Sequence, residues 1–268
     1  TGTDGKGTRL PTPPEAVPAK RDTQAWVVPG AVFAAVLALE LWTLGRAILP
    51  GLDEGIYLYA ARLIVHGQVP YRDFFLSHPP LAILGAAGGL LLTGFRIQLF
   101  EALYAGWCLT TLFPLWRVAT FLTGRRTAGL VAVVLFVTFP ELVRWDLRYF
   151  ALRQASLPLL AFVIEAFVVR RRPVRAGILL GLFACCVVTQ VPVAGVLVVA
   201  LAFLPRPREA GGADGAFRRS LPFLSAFGIT VGLGYAAVLA IPNAWYDLFL
   251  FQVGRPPVPL ADRARKLY

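Results

Sequence analysis

Charged residues are scarce in this sequence. Asp, Glu, Lys and Arg together make up 15% of the 268 residues, whereas hydrophobic residues make up 57%. A soluble domain usually carries about 25% charged residues, so this composition argues against one. The hydrophobic residues gather in runs, several of which approach or exceed the roughly 20 residues that span a bilayer. These runs cover residues 26–49, 97–121, 127–143, 150–169, 176–204 and 221–241. The sequence therefore predicts an all-α fold, a polytopic transmembrane helical bundle.

Cysteine is also rare, and methionine is absent. The three cysteines, Cys108, Cys185 and Cys186, all lie inside apolar runs. They have neither the pattern of a disulfide framework nor the spacing of metal ligands. The sequence accordingly predicts no cofactor, and it does not indicate a divalent metal. A chain without methionine, even at position 1, is typical of a fragment or a processed product.

Positive charge is the abundant kind, with a formal net charge of +11. No basic patch is interleaved with exposed aromatic residues as single-strand binding requires, which argues against a nucleic-acid partner. The basic residues instead cluster in short segments between apolar runs, as in the cytoplasmic loops of membrane proteins. Lys20 and Arg21 precede the first run, which predicts a cytoplasmic N-terminus. Residues 1–25 are polar and proline-rich, and we expect them to form a disordered cytoplasmic tail.

The positive-inside rule also places the segments that follow. Residues 50–80 come after the first span and are predicted to form an extracytoplasmic loop. The stretch 79–94 has only about 15 apolar residues, which is short for a span. If it crossed the bilayer, the basic segments 125–126 and 170–175 would lie outside, against the trend. We therefore expect residues 79–94 to form a re-entrant or interfacial helix.

The later runs complete this predicted topology. Each crosses once, except that residues 176–204 are expected to form a hairpin of two short helices. The charged segment 140–154 then lies outside, on the same side as the first outer loop. The transmembrane domain is predicted to cover residues 26–250. Residues 251–268 are expected to be an extracytoplasmic tail or the start of a missing C-terminal part.

The first outer loop is the most polar stretch between two apolar ones. Residues 53–67 have apolar side chains at helical spacing, which predicts an amphipathic helix in the outer membrane interface. Asp53 at its start is either the N-cap of this helix or a catalytic carboxylate. Arg72 and Asp73 either pair with each other or bind a substrate. His78 is either a solvated loop residue or part of the same site.

The second outer loop, residues 140–154, is charged as well and contains Glu141, Arg144, Asp146, Arg148 and Arg153. One interpretation is an interfacial belt, in which arginines snorkel beside aromatic residues at the level of the headgroups. The other is a pocket in which arginines bind phosphate next to a second carboxylate. Both charged loops lie on the same side of the predicted topology, which favours the functional interpretation.

The stretch LDEGIYLYAARLIVHGQVPYRDFFLSHPPL, residues 52–81, resembles the membrane glycosyltransferases of the GT-C superfamily. Within it, the similarity is to the branch of protein O-mannosyltransferases and lipid A aminoarabinose transferases. The resemblance rests on an acidic residue just after the first span, then GQVPYRDF, then HPPL. RWDLRYFALRQ is similar, more loosely, to the second acidic motif of that family. The resemblance covers roughly residues 26–255.

The resemblance implies a GT-C-like bundle that moves a sugar from a polyprenyl-phosphate donor to an acceptor hydroxyl on the extracytoplasmic face. Asp53 is implied as the general base, and Glu54 beside it is the other catalytic candidate. The implied substrate-binding residues are Arg72, Asp73, His78, Arg144, Asp146, Arg148 and Arg255. The basic residues among them are implied to stabilise the departing lipid phosphate.

The resemblance also implies partners and a location. The partners are the polyprenyl-phosphate sugar, membrane lipids and a lipid, glycan or protein acceptor. The location is the plasma (inner) membrane, and the interfacial helix with the re-entrant segment is implied to form a groove for the polyprenyl tail. Members of this family are usually longer, so we expect the chain to be C-terminally truncated. The alternative function is a non-catalytic protein that binds or transports lipid-linked sugars.

Overall fold

The computed structural model describes residues 24–43, 52–139, 150–203 and 213–251. The chain is mostly helical in these four ranges, and no β-strand occurs within them. Pro70 and Phe74 form an isolated β-bridge across a turn. The predicted all-α fold class is therefore confirmed for this part of the chain.

The helices follow one another with short connections. They are α1 (Gln24–Thr43), α2 (Leu52–Val65), α3 (Leu81–Leu92), α4 (Ile97–Leu109), α5 (Leu112–Thr123), α6 (Arg126–Thr138), α7 (Leu152–Ala155), α8 (Leu157–Ile164), α9 (Pro173–Ala184), α10 (Val191–Phe203) and α11 (Ala213–Leu239). A π-helical turn, Glu165–Val169, continues α8, and a second one, Tyr246–Leu250, follows α11. A 3-10 turn, Val188–Gln190, joins α9 to α10.

Two stretches of the described chain are long and apolar enough to cross a membrane. They are Leu152–Val169, with 18 residues, and Ser220–Leu239, with 20. At 1.5 Å per residue, a helix of 20 residues matches the roughly 30 Å thickness of a hydrocarbon core. By the same measure α3, with 12 residues, extends over only about 18 Å. Its bounds agree with the predicted short helix in residues 79–94.

Some predicted spans are divided in the structure. The run 97–121 forms α4 and α5, which are separated at Thr110 and Thr111. Pro114 explains this break, because proline has no N–H to donate to the carbonyl four residues earlier. The run 176–204 forms α9 and α10, and the turn between them lies at Val188–Gln190, close to its predicted position near residues 189–192.

Large apolar side chains cover much of the outer surface of the helices. Leu233 and Ile229 of α11 are 69% and 61% exposed, and Val196 of α10 is 69% exposed. Monomeric soluble proteins rarely expose large contiguous apolar patches. A helix that is apolar yet little buried by protein is typical of one that faces lipid. These exposed side chains, together with the two long apolar helices, favour membrane association.

Two glycines let α9 and α11 lie against each other. A Cβ atom added to Gly181 would lie 2.5 Å from Cβ of Thr230, and one added to Gly177 would collide with the backbone carbonyl oxygen of Phe223. Small residues at such positions are the usual means by which membrane helices approach closely. This contact centres one of two buried apolar clusters, which is formed mainly by α8, α9 and α11.

An ion-pair cluster joins α1, α5 and the α8 segment. Arg117 of α5 donates to Oε1 of Glu165, and Nε of Arg170 donates to the same oxygen at 2.8 Å. The Arg117 guanidinium also lies over the ring of Trp26, 3.4 Å from the ring centre. The start of α1, the middle of α5 and the end of the α8 segment therefore lie together.

Candidate functional site

The two adjacent carboxylates at the start of α2 have different environments. Helix α2 begins at Leu52, so Asp53 and Glu54 both lie in its first turn rather than at the cap position. Successive side chains on a helix point about 100° apart. As a result the Glu54 side chain turns inward and is only 2% exposed, whereas Asp53 is exposed. Asp53 makes no hydrogen bond or ion pair with any residue that the structure describes.

Glu54 fixes the start of α2 to a distant part of the chain. Its Oε1 accepts a hydrogen bond of 3.0 Å from the backbone N–H of Phe150. Its Oε2 is also buried and has no hydrogen-bond partner within the described ranges. Burial raises the pKa of Glu54 above its ordinary value, and the hydrogen bond from Phe150 opposes that shift only in part. Glu54 thus has a positioning role, and the neighbouring carboxylate of Asp53 is left accessible.

Tyr57, one turn after Glu54, connects α2 to His78. The Tyr57 ring lies 6.0 Å from the His78 ring and 6.5 Å from the Phe150 ring, in edge-on arrangements. The backbone carbonyl of His78 accepts a hydrogen bond of 2.6 Å from the hydroxyl of Tyr71. The structure therefore brings Glu54, His78 and Phe150 to the same end of the molecule. The ion pairs of Glu165 with Arg117 and Arg170 involve other helices and do not include these residues.

Arg72 and Asp73 form an ion pair with each other, which is one of the two alternatives that the sequence left open. Nε and Nη2 of Arg72 each donate to a different oxygen of Asp73, and both distances are 2.9 Å. Asp73 also accepts a hydrogen bond of 2.7 Å from the backbone N–H of Val69. These contacts with Arg72 and Val69 lower the pKa of Asp73 to about 2. The pair orders the turn, and Arg72, at 58% exposure, keeps its Nη1 donors for another anion.

Four predicted site residues cannot be placed in this geometry. Arg144, Asp146 and Arg148 of the second outer loop, and Arg255 near the C-terminus, lie outside the described residues. The chain is described again from Phe150, two residues after Arg148, where the hydrogen bond to Glu54 holds it. Phe150 belongs to the second outer loop as the sequence predicts it, so this hydrogen bond joins the two outer loops.

An apolar groove of about 500 Å³ adjoins the same end of the molecule. Small and aliphatic residues of α3 form one wall, and aromatic residues of α4 form another. Phe150 lines the groove and is also the residue whose backbone binds Glu54. A volume of this size is typical of a small-molecule pocket, which usually measures about 300–1,000 Å³. The lining can hold an aliphatic chain and offers few hydrogen bonds.

Several residues near the first outer loop were not predicted as site residues from the sequence. Asp247 follows the run 221–241 and is only 6% exposed, and it accepts a hydrogen bond from the backbone N–H of Leu76. Its surroundings, NAWYDLF, are a polar and aromatic interruption after an apolar run, and this was the available signal. Tyr57 and Phe150 carried no signal of their own, because aromatic residues are common in membrane helices.

Comparison with protein-family models, with curated proteins and with solved structures finds no match for this chain. Within the described residues, no group of three His, Cys, Asp or Glu side chains is placed to hold a metal ion.

Proposed function

We propose that this protein is a GT-C-like membrane glycosyltransferase that takes a sugar from a polyprenyl-phosphate donor and passes it to an acceptor hydroxyl. The observation that carries the proposal is the position of Phe150. Its backbone holds Glu54, next to the accessible carboxylate of Asp53, and its side chain lines the apolar groove. Glu54, the neighbour of the candidate base, and a lipid-sized groove therefore meet at Phe150, which supports a lipid-linked substrate.

The chemistry of transfer assigns a separate task to each group. Asp53 takes the proton of the acceptor hydroxyl as the acceptor oxygen attacks the anomeric carbon. The bond between that carbon and the phosphate oxygen breaks, and the lipid phosphate leaves with the electron pair. The free Nη1 donors of Arg72 and the imidazole of His78 stabilise the negative charge of the leaving phosphate. Glu54 holds the start of α2 in place and takes no proton in this step.

The arrangement of helix ends supports a topology in which this chemistry takes place outside the cytoplasm. The ion pairs of Glu165 with Arg117 and Arg170 join the middle of α5 to the end of the α8 segment. The basic segments at residues 125–126 and 170–175 follow α5 and the α8 segment directly, and basic loops favour the cytoplasm. Asp53, which lies at the start of α2, and His78, which lies before α3, are near the other ends of the helices. This supports a cytoplasmic N-terminus and an extracytoplasmic site in the plasma membrane.

The groove supports a role for the segment formed by α3. This helix extends over about 18 Å, too short to cross the bilayer alone. It packs against α2, which is the predicted interfacial helix, and His66 at the end of α2 stacks with Phe95 after α3 at 6.4 Å. In the proposed function the polyprenyl tail lies in the groove along α3, and its phosphate lies towards His78.

The experiment that tests the proposal is transfer from a panel of labelled polyprenyl-phosphate sugars by membranes that contain the protein. Membranes without the protein are the first control, and membranes with the Asp53→Asn variant are the second. The proposal predicts transfer of one labelled sugar that depends on Asp53. Binding of a donor without transfer to any acceptor would instead favour a non-catalytic lipid-linked-sugar protein.

A further inference from the structure

A second cavity, of about 290 Å³, lies between the turn of the first outer loop and the segment that follows α11. We call it the polar pocket. Arg72, Phe75 and Tyr246 line it and are exposed, so it opens at the surface. Its lining offers more polar than apolar surface, in contrast to the groove beside α3.

A buried carboxylate lines this pocket. Asp247 is only 6% exposed and belongs to the π-helical turn Tyr246–Leu250. Its carboxylate accepts the backbone N–H of Leu76, which ties the segment after α11 to the first outer loop. Phe75 and Phe251 reinforce this contact, with ring centres 4.7 Å apart. A buried acceptor that faces an open pocket is positioned to receive a hydroxyl hydrogen from a ligand.

The backbone of the pocket is strained on both sides. Tyr71 has a φ of 68° and Asn243 a φ of 69°, both in the left-handed region. Asparagine tolerates this region, but a bulky residue such as tyrosine rarely adopts it. Tyr71 is held there by hydrogen bonds from its N–H to the carbonyl of Phe74 and from its hydroxyl to the carbonyl of His78. Such conformations cluster at ligand-binding sites.

We propose that the polar pocket binds the acceptor and that this acceptor is a saccharide. The inference rests on the proposed function and narrows its acceptor from a lipid, glycan or protein to a sugar. The exposed rings of Phe75 and Tyr246 match the C–H face of a pyranose, because aromatic faces carry negative charge density. The Asn243 amide and the Tyr246 hydroxyl can both donate and accept, so they suit a sugar hydroxyl, which also does both.

The charge and the volume of the polar pocket agree with a neutral sugar as its ligand. Arg72, Asp73 and Asp247 line the pocket. The bidentate ion pair balances the charges of Arg72 and Asp73, so the carboxylate of Asp247 is the remaining charge of the lining and disfavours an anionic ligand. The volume lies near the lower end of the range of about 300–1,000 Å³ for small-molecule pockets, which suits one or two sugar rings. The pocket shares the first outer loop with His78, through the hydrogen bond from Tyr71.

The test measures binding of methyl glycosides of common hexoses and pentoses to the full chain in detergent, by ligand-observed NMR. Methyl glycosides carry neither phosphate nor lipid, so they report the acceptor site alone. Asn243→Gly removes the amide and keeps the left-handed backbone, since glycine adopts it freely. Tyr246→Phe removes one hydroxyl and keeps the ring. Tyr59→Phe is the matched control, since Tyr59 is a similarly exposed tyrosine of α2 that does not line this pocket.

At least one glycoside is expected to bind the wild-type chain. Its affinity should fall by about fivefold to tenfold in Asn243→Gly and in Tyr246→Phe, the effect of one lost hydrogen bond, and stay unchanged in Tyr59→Phe. Absence of glycoside binding to the folded chain, or equal binding by all variants, would overturn the inference. Chelator-sensitive binding of Ca²⁺ that requires Asn243 would also overturn it, because the pocket would then be a cation site.

The two proposals can fail separately. Asp53→Asn should abolish transfer and leave glycoside binding intact. Glycoside binding without transfer from any donor would reject the proposed function and leave the saccharide site standing. Transfer without glycoside binding would reject the saccharide site alone. The melting temperature and a single elution peak establish that each variant is folded before its binding is compared.

Discussion

Glu54 and Phe150 are 96 positions apart in the chain and are joined by a buried hydrogen bond of 3.0 Å. The carboxylate accepts from the backbone N–H, so the contact depends on residue 54 and on the path of the chain at residue 150. It connects the start of α2 to the second outer loop. Since Phe150 also lines the apolar groove, this one residue connects Glu54, the neighbour of the candidate base, to the candidate lipid site.

Replacing Glu54 by leucine should destabilise the protein more than replacing it by glutamine. Leucine leaves the buried N–H of Phe150 without an acceptor, which costs about 1–3 kcal/mol. Glutamine keeps a carbonyl oxygen at the position of Oε1. Thermal unfolding of the detergent-solubilised variants measures the difference. Equal melting temperatures for the two variants would show that the hydrogen bond is unimportant for stability.

The stability of the protein should depend on pH because of the raised pKa of Glu54. Its pKa is raised above the ordinary value of 4.5, mainly by burial. Between the ordinary pKa of 4.5 and the raised pKa of the folded state, the folded protein binds more protons than the unfolded chain. Stability therefore falls as pH rises through this range. Glu54→Gln cannot lose a proton and should lack this decrease. The melting temperature of Glu54→Gln relative to wild type should rise as pH is raised from about 4.5. A constant difference across that range would contradict the burial of an ionisable group there.

The helical character of the fold could be predicted from the sequence, but the division of its helices could not. Apolar runs and sparse charge predicted an all-α chain, and helices were found in each run that the structure describes. The break at Thr110 and Thr111 depends on Pro114, whose effect on a continuous apolar run depends on its packing. Composition does not contain this information.

The contact between α9 and α11 should be sensitive to very small side chains. Gly181→Ala places a methyl group against Thr230, and Gly177→Ala places one against the carbonyl of Phe223. Overpacking of this kind typically costs about 1–3 kcal/mol. Gly228→Ala, also in α11, is the matched control because its added Cβ meets no atom within 4 Å. Melting temperatures should fall for the first two variants only. A similar fall for Gly228→Ala would trace the effect to helix propensity or insertion instead.

The proposed topology can be read from cysteine labelling. The native Cys108, Cys185 and Cys186 are buried, so they should contribute little background with an impermeant maleimide. In intact cells, a cysteine in place of Arg72 should react and one in place of Arg125 should not. Both should react after the membrane is permeabilised. Labelling of position 125 in intact cells would place the basic loop outside and contradict the topology.

The candidate site was predicted in part. Asp53, Glu54 and His78 were singled out from the sequence, and the structure brings the last two to one end through Tyr57 and Phe150. The different environments of Asp53 and Glu54 could not be foreseen, because adjacent residues give no sign of which one a helix turns inward. Asp247 was missed, since its significance depends on a backbone N–H that lies 171 positions earlier, at Leu76.

The most direct measurement is the rate of sugar transfer by Asp53→Asn compared with wild type and with Glu54→Gln, under single-turnover conditions with donor bound. Loss of a general base should lower the rate by about 10²–10⁴-fold in Asp53→Asn. Glu54→Gln keeps the hydrogen bond to Phe150 and should stay far closer to wild type. Transfer at the wild-type rate by a folded, donor-binding Asp53→Asn variant would contradict the assignment of Asp53 as the base and the mechanism built on it.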